Sequence, residues 1–321
     1  MNIKQFVKKN DEVLIVYIIL AVVLVIGGFA SDRFFNPANI GNVIEQATAL
    51  GIVAIGQMMV ILLGGIDLSA GAVVSVTTTI LSYEMAASPY GLIINIVIAL
   101  AVGIAVGLFN GVGVAKLKIP PFIMTLATMC IVNGVALKIR PIPGGSVPYE
   151  FMDLLNGRFG VITHAVILWA VIAVIFALLL KRTRFGRAVY AVGGNPNTAA
   201  LSGISVQKTT ISCHVMCSML AAVGGIYLTS RVGTGDATLG SMYAMDSITV
   251  CVLGGISLFG GRGNIVGLFA ATFILCLLSN ILNMAGVSSY YQYVFKGLIM
   301  LVTVMIFSLK DLKGKEVGEV A

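Results

Sequence analysis

The sequence predicts an all-α integral membrane protein with about ten transmembrane helices, both termini in the cytosol, and some helices broken at glycine-rich motifs. Three observations predict it. First, 58% of the 321 residues are hydrophobic, only 10% are charged, and the mean hydropathy is +1.02. A soluble domain carries about 25% charged residues, so this chain has too little polar side chain to cover a water-facing surface. Second, apolar runs close to the roughly 20 residues that cross a bilayer recur along the whole chain. Third, with ten spans the Lys and Arg residues of the links segregate. Fourteen fall on the side of the termini and five (Arg33, Lys138, Arg140, Arg158 and Arg231) on the other. The positive-inside rule places the first set in the cytosol, and shifting the count by one span would destroy the asymmetry. Residues 1–321 thus form one polytopic domain, with residues 181–208 as a cytosolic loop within it.

The first span runs over about 13–30, after a tail with Lys4, Lys8 and Lys9. Asn36-Pro37 reads as a turn. The second span covers about 43–63 and the third about 72–87, interrupted by GGIDLSAG at 64–71; SPYG at 88–91 turns the chain. The fourth, about 92–115, carries Gly103, Gly107, Gly111 and Gly113, a small-residue ridge for tight helix packing. Pro120-Pro121 opens the fifth, about 122–137, because proline is tolerated in a first helical turn. Residues 138–162 form a mixed loop, in which YEFMDLL suggests a short amphipathic helix. The sixth span (about 163–180) leads into the basic loop and the seventh (about 209–229) leaves it. The eighth (about 244–253) is short and ends at GGISLFGGRGN. The ninth covers about 265–285 and the tenth about 290–309, before Lys310, Lys313 and Lys315. VILLGGIDL at 60–68 echoes VCVLGGISL at 250–258. Each copy ends a span and opens a glycine-rich break, and matching breaks in two halves are where transporters place their pathway.

Several function classes fall away. The net charge of +7 comes from basic residues between apolar spans, which set topology and do not read nucleic acid. No G-x-x-x-x-G-K-[ST] nucleotide loop and no G-x-S-x-G elbow is present, and enzymatic catalysis has no support. Cys130, Cys213, Cys217, Cys251 and Cys276 lie in apolar stretches and read as small buried hydrophobes.

The ionisable and amide residues at membrane depth carry the chemistry. A charge there costs several kcal/mol, about 3 or more, and faces the bundle interior. Asp67 in GGIDLSAG reads as a cap for the N–H groups that a broken helix leaves free, with the break, including Ser69, beside the pathway. Glu45, Asp246 and Lys296 fit either interfacial positions reaching water or pathway positions. Asn110 and Asn133 fit either interhelical hydrogen bonding or solute contact. Asp67, Ser69, Asn110, Asn133 and Asp246 are therefore the pathway or gate candidates.

The longest polar interval is residues 181–208. Lys181, Arg182, Arg184, Arg187 and Lys208 are basic, with no acidic residue to offset them. Inside it Asn195 is a good N-cap, Pro196 the favoured first helical residue and Gly203 a natural stop, which predicts a short helix over about 196–202. Its mild surface, Thr198, Ala199, Ala200 and Leu201, suits docking into a groove on another protein.

GGIDLSAG at 64–71, RFGRAVYAVGGNPNTAALSGISV at 184–206, VCVLGGISLFGGRGNIVG at 250–267 and GVSSYYQ at 286–292 together resemble the membrane permease subunits of bacterial ABC importers for ribose and related monosaccharides. The likeness covers nearly the full length. It implies a multi-pass protein of the bacterial plasma (inner) membrane that works as a dimer of permease chains in the lipid bilayer. It implies two cytosolic ABC-type ATPase partners and an extracytoplasmic sugar-binding protein. It implies no cofactor on this chain, ATP-Mg being held by the ATPases. It also implies that the short cytosolic helix inserts into an ATPase, which assigns coupling to Gly193, Gly194, Asn195, Pro196, Asn197, Ala199, Ala200, Leu201 and Gly203. Asn197 stands where the family usually has an acidic residue. The alternative is an ion-coupled secondary transporter using Asp67, Glu45 or Asp246 as carrier.

Overall fold

The computed structural model describes residues 11–83, 89–159 and 162–319. The tail lysines Lys4, Lys8 and Lys9, and the end of the third span past Tyr83, lie outside them. The described chain is helical throughout except for one two-residue strand pair, β1 (Arg158–Phe159) with β2 (Ile162–Thr163). In order the helices are α1 (Asp11–Ala30), α2 (Pro37–Ile61), α3 (Ser69–Leu81), α4 (Pro89–Ala115), α5 (Pro121–Ile139), α6 (Tyr149–Asn156) and α7 (His164–Arg182). They continue as α8 (Arg184–Gly194), α9 (Pro196–Leu201), α10 (Val206–Val232), α11 (Tyr243–Leu253), α12 (Ile265–Met284) and α13 (Ser289–Glu319). Among the described residues seven helices, α1, α2, α4, α5, α7, α10 and α12, are long and apolar enough to cross a membrane; α3 and α11 are shorter apolar helices.

Local signals explain the boundaries. Asn36-Pro37 is a helix start and not a turn. The Asn36 side chain accepts from the Ala38 N–H at 2.9 Å and Pro37 is the first helical residue, so α2 begins six residues before the predicted span. Pro121 opens α5 as expected. Asn264 caps α12 by accepting from the Val266 N–H at 3.1 Å. α10 ends at Gly233 in the left-handed region, φ 75°.

α2 is the central helix. Its most apolar window is 89% buried inside the protein, against 17–28% for α1, α4, α5 and α7. The poorly buried four form a periphery whose apolar side chains face outward, as a lipid-solvated surface requires. α10 packs against α4, α2 and α3, while α12 lies against α1 and α2, and α11 against α2, α12 and α13. The glycine ridge on α4 does what its spacing predicts. A Cβ at Gly107 would stand 2.5 Å from Val215 Cα and one at Gly111 2.7 Å from Ile211 Cα, so α4 and α10 meet backbone to backbone. Cys213, Cys217, Cys251 and Cys276 are buried in these contacts, whereas Cys130 is exposed on α5.

Candidate functional site

Three features carry the chemistry: a capped helix at one end of the bundle, a glycine-rich junction beneath it, and a buried polar network where α2 breaks.

α9 forms as its sequence dictates. Asn195 Oδ1 accepts from the Asn197 N–H at 2.9 Å and the Thr198 N–H at 3.0 Å, Pro196 is the first helical residue, and Gly203 follows the helix at φ 81°. Asn195, Pro196, Asn197, Ala200 and Gly203 are exposed, and Leu201 is 90% exposed. Ala199 is not part of that surface. It is 3% exposed and faces the body of the protein.

Within the loop read over 181–208, residues 184–194 form helix α8. The Thr183 side chain accepts from the Gly186 N–H at 3.1 Å, so one residue ends α7 and caps α8. α8 buries Gly186, Val189, Val192 and Gly193. Tyr190 Oη donates to the Gly263 carbonyl at 2.9 Å, and burial raises its pKa, which keeps the phenol a donor.

Gly193 is the centre of the junction. A Cβ there would collide with the Leu62 carbonyl and lie 2.7 Å from the Gly261 N–H. The Gly261 N–H donates to that same Leu62 carbonyl at 2.9 Å. Three backbones therefore meet: the end of α8, the break after α2 and the break after α11. The two breaks are the echoed motifs. In each a left-handed glycine, Gly64 at φ 78° or Gly255 at φ 81°, reverses the helix end. A six-residue closure completes each one, Gly65 N–H to Val60 O at 3.1 Å and Ile256 N–H to Cys251 O at 3.0 Å. The two closures are displaced by one residue relative to the sequence echo.

Beyond the first break, Asp67 acts as the expected cap. Its Oδ1 accepts from the Ser69 N–H at 2.9 Å and the Ser69 hydroxyl at 2.5 Å. Asn110 donates to Ser69 Oγ at 2.8 Å and accepts from Thr128 Oγ1 at 2.6 Å, so the chain of contacts joins α3, α4 and α5. His214 Nδ1 of α10 lies 3.4 Å from Asp67 Oδ2. Gln57, with its amide turned to suit its neighbours, donates to the Asp67 carbonyl at 3.0 Å and accepts from the Asp67 N–H at 3.1 Å. Thr125 Oγ1 donates to the Ile66 carbonyl at 3.1 Å. These side chains are at most 2% exposed. They satisfy the backbone that an unwound segment leaves open in the buried interior, away from water. Sequence reading found Asp67, Ser69 and Asn110 but missed Gln57, Thr128 and His214. Asn133 is half-buried on α5 and lies outside the network.

Asp246 is also separate. It forms an ion pair of 2.7 Å with Lys296, on the far side of α11 from the junction. Glu45 pairs with Arg158 at 2.7 Å and Arg231 at 3.5 Å. Both carboxylates are thus neutralised by partners from other elements. Among the described residues no group of three or more His, Cys, Asp or Glu is placed to hold a metal ion.

Comparison with known proteins gives the family. Residues 39–304 match the family described as branched-chain amino acid transport system / permease component. The ribose import permease protein of Bacillus subtilis (strain 168) is 37% identical over 290 residues, 89% of this chain and 90% of that protein. The ribose import permease protein of Escherichia coli (strain K12) is 37% identical over 306 residues, covering 92% and 93%. The galactose/methyl galactoside import permease protein of the same strain is 34% identical over 325 residues, covering 94% and 95%. No solved structure matches the chain. The family match, the relatives and the set of span-length helices lead to one assignment: the chain belongs to this family of membrane permease components, and is a multi-pass transport subunit and not an enzyme.

Proposed function

We propose that this chain is the transmembrane permease of an ATP-driven monosaccharide importer in the bacterial plasma (inner) membrane. The observation that carries the reading is similarity to ribose and galactose import permeases running through about nine-tenths of each chain. ATP is bound and hydrolysed on separate ATPase chains, an extracytoplasmic binding protein delivers the sugar, and two permease chains form the pathway. About ten spans, with both termini and α8–α9 in the cytosol, follow from the lysine and arginine asymmetry.

The geometry supports a coupling route. The exposed face of α9 (Asn195, Pro196, Asn197, Ala200, Leu201) docks on the ATPase, and Gly194 and Gly203 delimit it. Ala199 and Gly193 hold it to the permease. Because Gly193 touches the Leu62 carbonyl and Gly261 directly, a displacement of α9 reaches both broken helices with no flexible linker between. α3, entered through Asp67 and Ser69, and α11, which carries Asp246, then move against α2. Asn110 ties α3 to α4 and α5 so that they move together, and Asn133 faces the pathway from α5.

The test is ATP hydrolysis. With the partner ATPase and a sugar-loaded binding protein, this chain in lipid should raise hydrolysis above the level without sugar. No response of the ATPase to the chain or to sugar overturns the proposal.

A further inference from the structure

A cleft of about 240 Å³ lies between α2, α10, α11, α12 and α13. Its polar lining comprises Gln46, Arg231, Tyr243, Asp246, Ser279 and Lys296. Asp246 stands eight residues before the α11 break at Gly254, about 12 Å along a helix, so the cleft sits within the helical bundle on the side away from α9. Polar groups in that interior are expensive unless something bonds them.

Two kinds of group face this space. The charged groups have partners. Lys296 Nζ lies 2.7 Å from Asp246 Oδ2, and Arg231 Nε lies 3.5 Å from Glu45 Oε2. The neutral groups do not. Among the described residues none hydrogen-bonds the side chains of Gln46, Tyr243 or Ser279. Together these three offer amide, phenol and hydroxyl donors and acceptors, and the ion pair keeps spare donors on Lys296 and lone pairs on Asp246. A ligand whose hydroxyls each donate and accept fits such a mixed lining, whose charged members Arg231, Asp246 and Lys296 each already face a group of opposite sign. The volume falls just below the roughly 300–1,000 Å³ of drug-sized sites and equals that of about eight waters. That is room for one sugar ring.

We propose that this cleft is a monosaccharide subsite within each permease chain, where a neutral sugar bonds Gln46, Tyr243, Ser279 and the Asp246–Lys296 pair on its way through the membrane. The proposal rests on the import reading and names where in the chain that reading places the solute.

The experiment is thiol protection on the full chain in lipid nanodiscs, with no ATPase present. Ser279→Cys is labelled with a small water-soluble thiosulfonate, over the background of the parent chain, whose Cys276 is 6% exposed in the same cleft. Ribose or galactose slows labelling by one plus the ratio of its concentration to its Kd, about threefold at twice the Kd. Leucine leaves the rate unchanged, and adding Gln46→Leu removes the protection. If Ser279→Cys does not give a monodisperse protein, Leu50→Cys, an apolar lining position with no part in bonding the sugar, reports on the same cleft. Equal rates with and without sugar, equal protection by leucine, or a thiol that never reacts each overturn the subsite. Failure of ATP-driven import is read in the separate hydrolysis assay, so the two claims fall independently.

Discussion

Leu201 offers the sharpest test of the docking surface. It is 90% exposed at the tip of α9 in the isolated chain. If the ATPase covers it, Leu201→Ala removes three carbons from a newly dry contact. At about 0.8 kcal/mol per buried carbon, scaled to that exposure, the loss is about 2 kcal/mol. This corresponds to roughly 30-fold weaker binding of the ATPase at each site. Leu201→Glu goes further, because it places an unpaired charge in the groove. Neither variant should disturb the permease itself, since exposed substitutions stay within about 0.5 kcal/mol. The assay pairs ATPase affinity for nanodisc-embedded chain with sugar uptake and ATP hydrolysis in proteoliposomes, and thermal unfolding in detergent serves as control. The expected pattern is unchanged unfolding, weakened affinity, and uptake that falls more than hydrolysis. Affinity and uptake within twofold of the parent would refute the docking role and leave α9 a connector.

Three other predictions follow from the contacts. Gly193→Ala drives a methyl into the Leu62 carbonyl; overpacking of this kind costs about 1–3 kcal/mol, so thermal stability should drop and uptake should fall even where ATPase binding survives, and a silent Gly193→Ala would mean the junction is loose. Asp67→Ala strands the Ser69 N–H, the Ser69 hydroxyl and His214, at about 1–3 kcal/mol for each orphaned group, whereas Asp67→Asn keeps the cap; unfolding temperatures should rank parent, then Asn, then Ala. ATP-dependent uptake surviving in Asp67→Asn also separates the importer from an ion-coupled carrier, which would lose it. Breaking the partly buried Asp246–Lys296 pair by either Asp246→Asn or Lys296→Met should destabilise by about 3 kcal/mol, with the double variant recovering part of that loss; purely additive losses in the double-mutant cycle would show that the two do not act as a pair.

What was legible in the chain was local. Apolar runs, the α4 glycine ridge and the α9 cap each depend on residues within a few positions of one another; the ridge and the cap form as read, and seven of the ten predicted spans are helices of membrane-crossing length among the described residues. Asn36-Pro37 was misread because a cap and a turn share the same residues, and only the following helix distinguishes them. α8 escaped although Phe185, Val189 and Val192 form an apolar stripe at i, i+4, i+7, because the basic residues beside it, Arg184 and Arg187, drew the segment into the reading of a polar loop. The partners of Asp67 escaped for another reason. His214 is 147 residues away, and a lone histidine in an apolar helix gives no sign of what it faces. The echo between 60–68 and 250–258 was visible, but not that the two breaks touch one another through Leu62 and Gly261, with Gly193 seated on both.

The central claim is that sugar crosses through this chain at the expense of ATP hydrolysed elsewhere. It is tested most directly by radiolabelled sugar uptake into proteoliposomes holding the chain, its ATPase and the loaded binding protein. The account predicts uptake that requires all three and hydrolysable ATP, and that ionophores leave unchanged. Uptake by the chain alone, driven by a proton or sodium gradient and abolished by ionophores, would contradict it.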